Sequence, residues 1–247
     1  MPLAPRSFEG ITHVAFCVRE VAKSREFYRK LGFEQGFEFV DPDKLPVSYV
    51  KINDRQFIEL CGGADGQPPP GIMHVCYQVK DMELLVRDYA DRGLHLPRKA
   101  RAGNMVLLLH DPEEQIVEFT QYLPGSLHFE DRGKHLGEHQ ISQRLVEVDS
   151  SVRDVAPAAA FYRFELGFKS VALSERSLTL QLPGDSEERI AICDLDCSPS
   201  TRIVFESSNI SDANEKLHHV GIIVNASGTS HELSDPDGTI IVLEKQR

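Results

Sequence analysis

The chain repeats itself, and this repeat constrains the fold more than any other feature. Residues 18–22 and 27–33 have counterparts in residues 152–156 and 161–168, with one residue inserted in the second copy. Asp-Pro turns that precede strand-like runs late in each half also match, at Asp111-Pro112 and Asp235-Pro236. Self-similarity on this scale indicates that one supersecondary unit is used more than once.

Each half divides again into two units. In the first unit an alternating run at residues 11–18 predicts a strand. A helix follows, because Ser24, Phe27, Tyr28 and Leu31 fall on one face. Further strands at residues 47–52 and 56–60 complete a β-α-β-β pattern, with another strand expected in the less regular loops.

The pattern predicts an α+β fold of four βαβββ modules. Helices with a single apolar stripe pack on one face of a mixed sheet, and the other face curves around a cup. We expect two such domains, at residues 1–124 and 140–247, joined by a polar linker at residues 125–139. The linker histidines are expected to be solvated: His128, His135 and His139.

Four polar residues interrupt apolar strand-like runs: His13, Glu59, His74 and Glu118. Burying a histidine or a glutamate in such a strand is unfavourable unless something pairs with it. Two imidazoles and two carboxylates could share one divalent metal ion. The alternative is two separate buried His–Glu ion pairs.

Composition narrows the class of partner and the compartment. The formal net charge of −11 argues against nucleic-acid or anionic-membrane partners. The apolar runs are too short to span a bilayer, and the N-terminus lacks the apolar core of a signal peptide. Five cysteines, without zinc-site or disulfide spacing, indicate a reduced cytoplasmic protein, expected to be a monomer or homodimer.

With these motifs the chain resembles the vicinal oxygen chelate superfamily. The resemblance rests on the paired modules, on Phe-Tyr-x-x-Leu-Gly-Phe at residues 27–33 and on the Asp-Pro turn before Ile116-Val117-Glu118-Phe119. The superfamily includes glyoxalase I, methylmalonyl-CoA epimerase, extradiol dioxygenases and the fosfomycin- and bleomycin-resistance proteins.

The resemblance implies one divalent metal, held by His13, Glu59, His74 and Glu118 and chosen from Ni, Co, Mn, Fe or Zn. It implies a small substrate with two neighbouring oxygens and a metal-stabilised enolate, as in a glyoxalase- or epimerase-like lyase or isomerase. Glu118 or Glu59 would move the proton as the catalytic residue.

The second half lacks the same set. The matching positions are expected at Glu147, near Cys193, at Arg202 and at Val242, so we expect no metal there. Glu147 and Arg202 are expected to pair with each other.

No single member of the superfamily fits fully. The resemblance places glutathione-binding residues of glyoxalase I where Cys17 and Gly63 stand, which argues against glutathione. Extradiol dioxygenases need a tyrosine where Leu108 stands, and epimerases carry an amide in place of Glu59. A dioxygenase, or a non-catalytic protein that binds a small molecule, therefore stays open as an alternative.

Overall fold

The computed structural model describes residues 8–63, 69–89, 96–174, 176–184, 186–196, 201–227 and 230–246. In this part of the chain the strands are β1 (Phe8–Val18), β2 (Glu34–Val40), β3 (Pro46–Lys51), β4 (Phe57–Gly62), β5 (Gly71–Val79), β6 (Arg98–Lys99), β7 (Met105–His110), β8 (Ile116–Gln121), β9 (Arg144–Val152), β10 (Lys169–Leu173), β11 (Ser177–Gln181), β12 (Arg189–Asp194), β13 (Arg202–Ser207), β14 (Asn225–Ser227), β15 (Ser230–Ser234) and β16 (Ile240–Lys245). The helices are α1 (Val21–Lys30), α2 (Met82–Tyr89), α3 (Leu127–Glu130), α4 (Val155–Ala160) and α5 (Ile210–His219), and a π-helical turn (Phe161–Glu165) continues α4.

The strands form two mixed sheets of eight, which confirms the predicted α+β fold. Their orders are β2-β3-β4-β1-β5-β8-β7-β6 and β10-β11-β12-β9-β13-β16-β15-β14. Every module has one pattern: its first strand is parallel to its last, while the remaining pairs are antiparallel. A helix joins the first strand to the others, as a parallel pair requires. The further strands expected in the loops are β2, β6, β10 and β14.

Helix α1 has the predicted stripe. Ser24 and Tyr28 are buried, and the chain leaves the helix at Gly32, whose φ of 87° suits glycine. Asn209 caps the start of helix α5, and its side chain accepts a hydrogen bond from the backbone N–H of Asp212. Among the described residues, no helix is long and apolar enough to cross a membrane.

The residue inserted in the second half is absorbed by a change of helix type. The backbone N–H of Leu166 donates to the carbonyl of Phe161, five residues earlier, which is a π-type bond. At the matching position of the first half, the N–H of Leu31 donates to the carbonyl of Phe27, four residues earlier. Single inserted residues in helices commonly take this form. Gly167 then takes the left-handed conformation that Gly32 has in the first module.

By residue contacts the chain divides into two compact units, each of which gathers two modules. Unit 1 is Met1–Thr12, His74–Glu130 and Glu147–Pro199. Its core includes an aromatic cluster, in which the ring of Phe168 lies 5.6 Å from Tyr77 and 5.8 Å from Phe8.

Unit 2 is His13–Met73, Asp131–Val146 and Ser200–Arg247. It contains the matching aromatic pair Phe33 and Phe205, with ring centroids 5.3 Å apart. The two sheets separate the first half of the chain from the second, whereas each compact unit combines segments of both halves. The predicted boundaries at residues 124 and 140 therefore stay a prediction.

The segment expected to be a solvated linker contains a buried histidine. His128 is 1% exposed, its Nδ1 lies 2.8 Å from the amide nitrogen of Asn104, and its ring stacks on Tyr122. The prediction of solvent exposure was therefore wrong for His128. It holds for His135, which is exposed and whose Nδ1 lies 2.5 Å from a carboxylate oxygen of Asp131.

A buried lysine on β3 anchors the segment that begins at Asp131. Lys51 is fully buried, and its Nζ lies 2.9 Å from Asp131 and 2.8 Å from Asp54. It also donates to the backbone carbonyl of Lys134 at 2.7 Å. Asp131 is itself buried, so the ammonium group supplies the charge that makes its burial tolerable.

We predict that Lys51→Met lowers the free energy of unfolding by about 3–5 kcal/mol, because it leaves the carboxylate of Asp131 buried without its cation. Urea denaturation measures the change. The control is Lys23→Met, at an exposed lysine paired with Glu20, for which a change within about 0.5 kcal/mol is expected. Equal denaturation midpoints for the two variants would contradict this role of Lys51.

Candidate metal centre

The four predicted ligands lie on four strands of the first sheet. His13 is on β1 and Glu59 on the parallel strand β4, opposite Ala15. His74 is on β5, and Glu118 on the parallel strand β8. Alternation along each strand places His13 and Ala15 on one face, so each parallel pairing brings a histidine close to a glutamate.

Within each strand pair the imidazole faces the carboxylate. Nε2 of His13 lies 3.1 Å from Oε2 of Glu59, and Nε2 of His74 lies 3.8 Å from Oε2 of Glu118. These two contacts place each histidine beside the glutamate of its own module.

Three of the four residues form a group that could hold a metal ion. One ligand atom each from His13, His74 and Glu118 lies within 4.8 Å of the other two. Glu59 is outside this group, although its carboxylate contacts His13. The assignment of all four side chains to one metal stays a prediction.

The distances suit a divalent metal. Two atoms bound at about 2.1 Å lie about 3.0 Å apart at a right angle and about 4.2 Å apart when opposite. The 3.8 Å between His74 and Glu118 falls in this range, and so does the 3.1 Å between His13 and Glu59, which is also the length of a hydrogen bond. Two imidazoles and one carboxylate are also the donor set of many mononuclear metal enzymes.

His13 is the most buried of the four predicted ligands. Its side chain is 3% exposed, against 11% for that of Glu59, and the ring of Tyr49 meets that of His13 edge-on at 5.7 Å. Tyr49 belongs to an apolar cluster with Val47 and Phe57. His74 and Glu118 are more exposed, with 13% and 15% of their side-chain surface accessible.

Two cysteines contact the carboxylates. Sγ of Cys76 lies 3.3 Å from Oε1 of Glu118, and Sγ of Cys61 lies 3.7 Å from Oε1 of Glu59. Burial, and next the charge of Glu59, raise the pKa of the Cys61 thiol, so it is protonated and donates. The sequence indicated only that these cysteines are reduced, and no role at the site. The signal for Cys61 was its position two residues after Glu59 on one strand.

The second sheet carries different residues at the matching positions. Glu147 lies 2.7 Å from Arg189, a partner that the sequence did not indicate. Strand register places Ala191, rather than Cys193, at the counterpart of Glu59. Val242 is fully buried in an apolar cluster with Val146 and Val204. Among the described residues of this half, no group of three potential ligands meets the spacing found in the first sheet.

Comparison with known proteins agrees with the geometry. Residues 12–106 match the family model described as Glyoxalase/Bleomycin resistance protein/Dioxygenase superfamily. No curated protein matches the chain significantly.

Solved structures match over nearly the whole chain. A Mn(II)-bound glyoxalase from Novosphingobium aromaticivorans is 14% identical, with a TM-score of 0.72 over 97% of this chain and 82% of that one. BphC, a halotolerant catechol dioxygenase, is 15% identical, with a TM-score of 0.72 over 98% of this chain and 88% of that one. Homoprotocatechuate 2,3-dioxygenase from Arthrobacter globiformis is 17% identical, with a TM-score of 0.72 over 99% of this chain and 83% of that one.

At these identities the likeness shows a shared fold. The family model and the fold together confirm the predicted resemblance: residues 12–106 match the glyoxalase, bleomycin resistance protein and dioxygenase superfamily, and the chain has the fold of solved glyoxalase and extradiol dioxygenase structures.

Proposed function

We propose that this protein is a divalent-metal-dependent enzyme that acts on a small substrate with two adjacent oxygens. The observation that supports this proposal is the group of His13, His74 and Glu118, with ligand atoms within 4.8 Å of one another. Glu59, at 3.1 Å from His13, is a fourth donor beside this group.

The donor set fits one ion of Ni, Co, Mn, Fe or Zn, and a structurally similar glyoxalase is Mn(II)-bound. Such an ion supplies Lewis acidity toward the oxygens of a substrate. Two imidazoles and at least one carboxylate would hold this ion.

The chain's own contribution to the chemistry is a proton acceptor. Glu59 lies outside the three-residue group but within hydrogen-bonding distance of His13. A carboxylate in this position can take a proton from carbon beside a carbonyl group and return it to a neighbouring atom. The net reaction is that of an isomerase or lyase. Glu118 is the second catalytic carboxylate in this proposal.

We further propose a cytoplasmic protein, acting as a monomer or homodimer, with a small molecule as its partner. Its four described cysteines form no disulfide, which agrees with a reducing compartment.

A second candidate is an extradiol-type dioxygenase. Two histidines and one carboxylate, with Glu59 set apart, are the donor set of non-heme iron oxygenases. Leu108 counts against it, because this apolar residue lies directly opposite Glu118 at the position of the expected tyrosine.

We predict that Glu118→Gln weakens Mn²⁺ binding by more than about 100-fold, since it removes a ligand rather than an outer partner. Metal analysis after dialysis and titration calorimetry measure the loss. The control is Glu147→Gln, at a glutamate paired with Arg189 in the second sheet, which should bind Mn²⁺ as the parent does. Equal losses in both variants would refute the assignment to the first sheet.

We predict that Glu59→Gln weakens Mn²⁺ binding less than Glu118→Gln does, but loses about 10²–10⁴-fold in proton-transfer rate, as expected for loss of a general base. The assay follows deuterium uptake from D₂O at the hydroxyl-bearing carbon of hydroxyacetone by NMR. Oxygen consumption with catechol by the Fe²⁺-loaded protein, without deuterium uptake, would favour the dioxygenase instead. Absence of both activities with Mn²⁺ bound would favour a binding protein.

We predict that glutathione does not support turnover of methylglyoxal. Cys17 and Gly63 stand where the glyoxalase I resemblance places residues that grip the tripeptide. The assay compares methylglyoxal consumption by the metal-loaded protein with and without glutathione, and a clear glutathione-dependent rate would contradict the prediction.

A further inference from the structure

Each carboxylate of the candidate metal centre has one oxygen near a cysteine thiol and the other near a histidine nitrogen. In Glu118, Oε1 faces the thiol of Cys76 at 3.3 Å, while Oε2 faces Nε2 of His74 at 3.8 Å. In Glu59, Oε1 faces the thiol of Cys61 at 3.7 Å, while Oε2 faces Nε2 of His13 at 3.1 Å. A carboxylate only accepts hydrogen bonds, so the S–H groups are the donors.

The two thiols reach their carboxylates by different routes. Cys76 lies directly opposite Glu118 in the parallel pair of β5 and β8. Cys61 lies two residues after Glu59 on β4, and therefore on the same face of the strand. The repeat of the module alone therefore does not explain why both glutamates contact a thiol, because the two cysteines occupy different positions in their modules.

The second sheet provides an internal comparison. At the positions that match Cys76 and Glu118, it has Val204 directly opposite Val242, both fully buried. Thiol and carboxylate are thus replaced together. Cys193, the counterpart of Cys61, remains where the glutamate has become Ala191, and its Sγ contacts the carbonyl of Ser150 at 3.9 Å.

We propose that Cys76, and more weakly Cys61, are positioning residues that hold one carboxylate oxygen so that the other oxygen faces the imidazole nitrogens. This inference rests on the proposed metal site, since the oriented oxygen would coordinate the cation. Hydrogen-bond donors to ligating carboxylates fix their orientation, and loss of one typically weakens metal binding about 10- to 100-fold. The thiols are not themselves members of the ligand group found among the described residues.

The test measures Mn²⁺ affinity by titration calorimetry, together with the electron paramagnetic resonance spectrum of bound Mn²⁺. Cys76→Ala should weaken binding about 10-fold and change the spectrum, because Glu118 loses its orienting donor. Cys76→Ser keeps a donor, and should restore most of the affinity and the parent spectrum. Cys61→Ala should show a smaller loss, as its contact is longer.

The matched control is Cys193→Ala, which removes a buried thiol at the counterpart of Cys61 in the second sheet and should leave both readouts unchanged. Denaturation of each metal-free variant separates lost packing from lost positioning. Parent-like Mn²⁺ affinity in Cys76→Ala, or failure of the serine to restore it, would overturn this inference while leaving the metal site intact. Absence of Mn²⁺ binding by the parent would overturn both proposals.

Discussion

The parallel pairing of the first and last strands of a module is the constraint on which the rest of the structure depends. A parallel pair needs a crossover, so each module must place its helix between these strands. The pairing also brings two strands that are distant in sequence side by side, with one face in common. In the first sheet this geometry sets Glu59 beside His13 and Glu118 beside His74. The candidate metal centre is thus a consequence of topology as much as of side-chain chemistry.

Much of the fold was predictable because it depends on local periodicity. Alternating residues gave the strands that carry His13 and His74, and the helical stripe at Tyr28 gave α1. Side-chain partners were predicted less well, because they depend on long-range register. Lys51 is buried by residues about eighty positions away, and Arg189 reaches Glu147 only through the pairing of β12 with β9. No local pattern encodes such contacts.

The same difference between local pattern and long-range contact decides how much of the candidate site could be predicted. The four strand positions could be identified from the sequence and the resemblance, whereas the grouping of three residues, with Glu59 turned toward His13, depends on side-chain conformations. The thiol contacts also depend on strand register. The second sheet shows how little the fold needs this chemistry: valines fill the inner face at Val204 and Val242, and the strand pairing is unchanged.

The π-helical turn at Phe161–Glu165 shows where a module can change length. The extra residue is taken up within one turn, so Phe168 still reaches Tyr77 and Phe8 in the aromatic core. A strand has no such freedom, because a slip of one residue would turn every inward side chain outward. Natural variation in length among modules of this type should therefore collect in helices and loops, and the strands that carry ligand positions should keep their spacing.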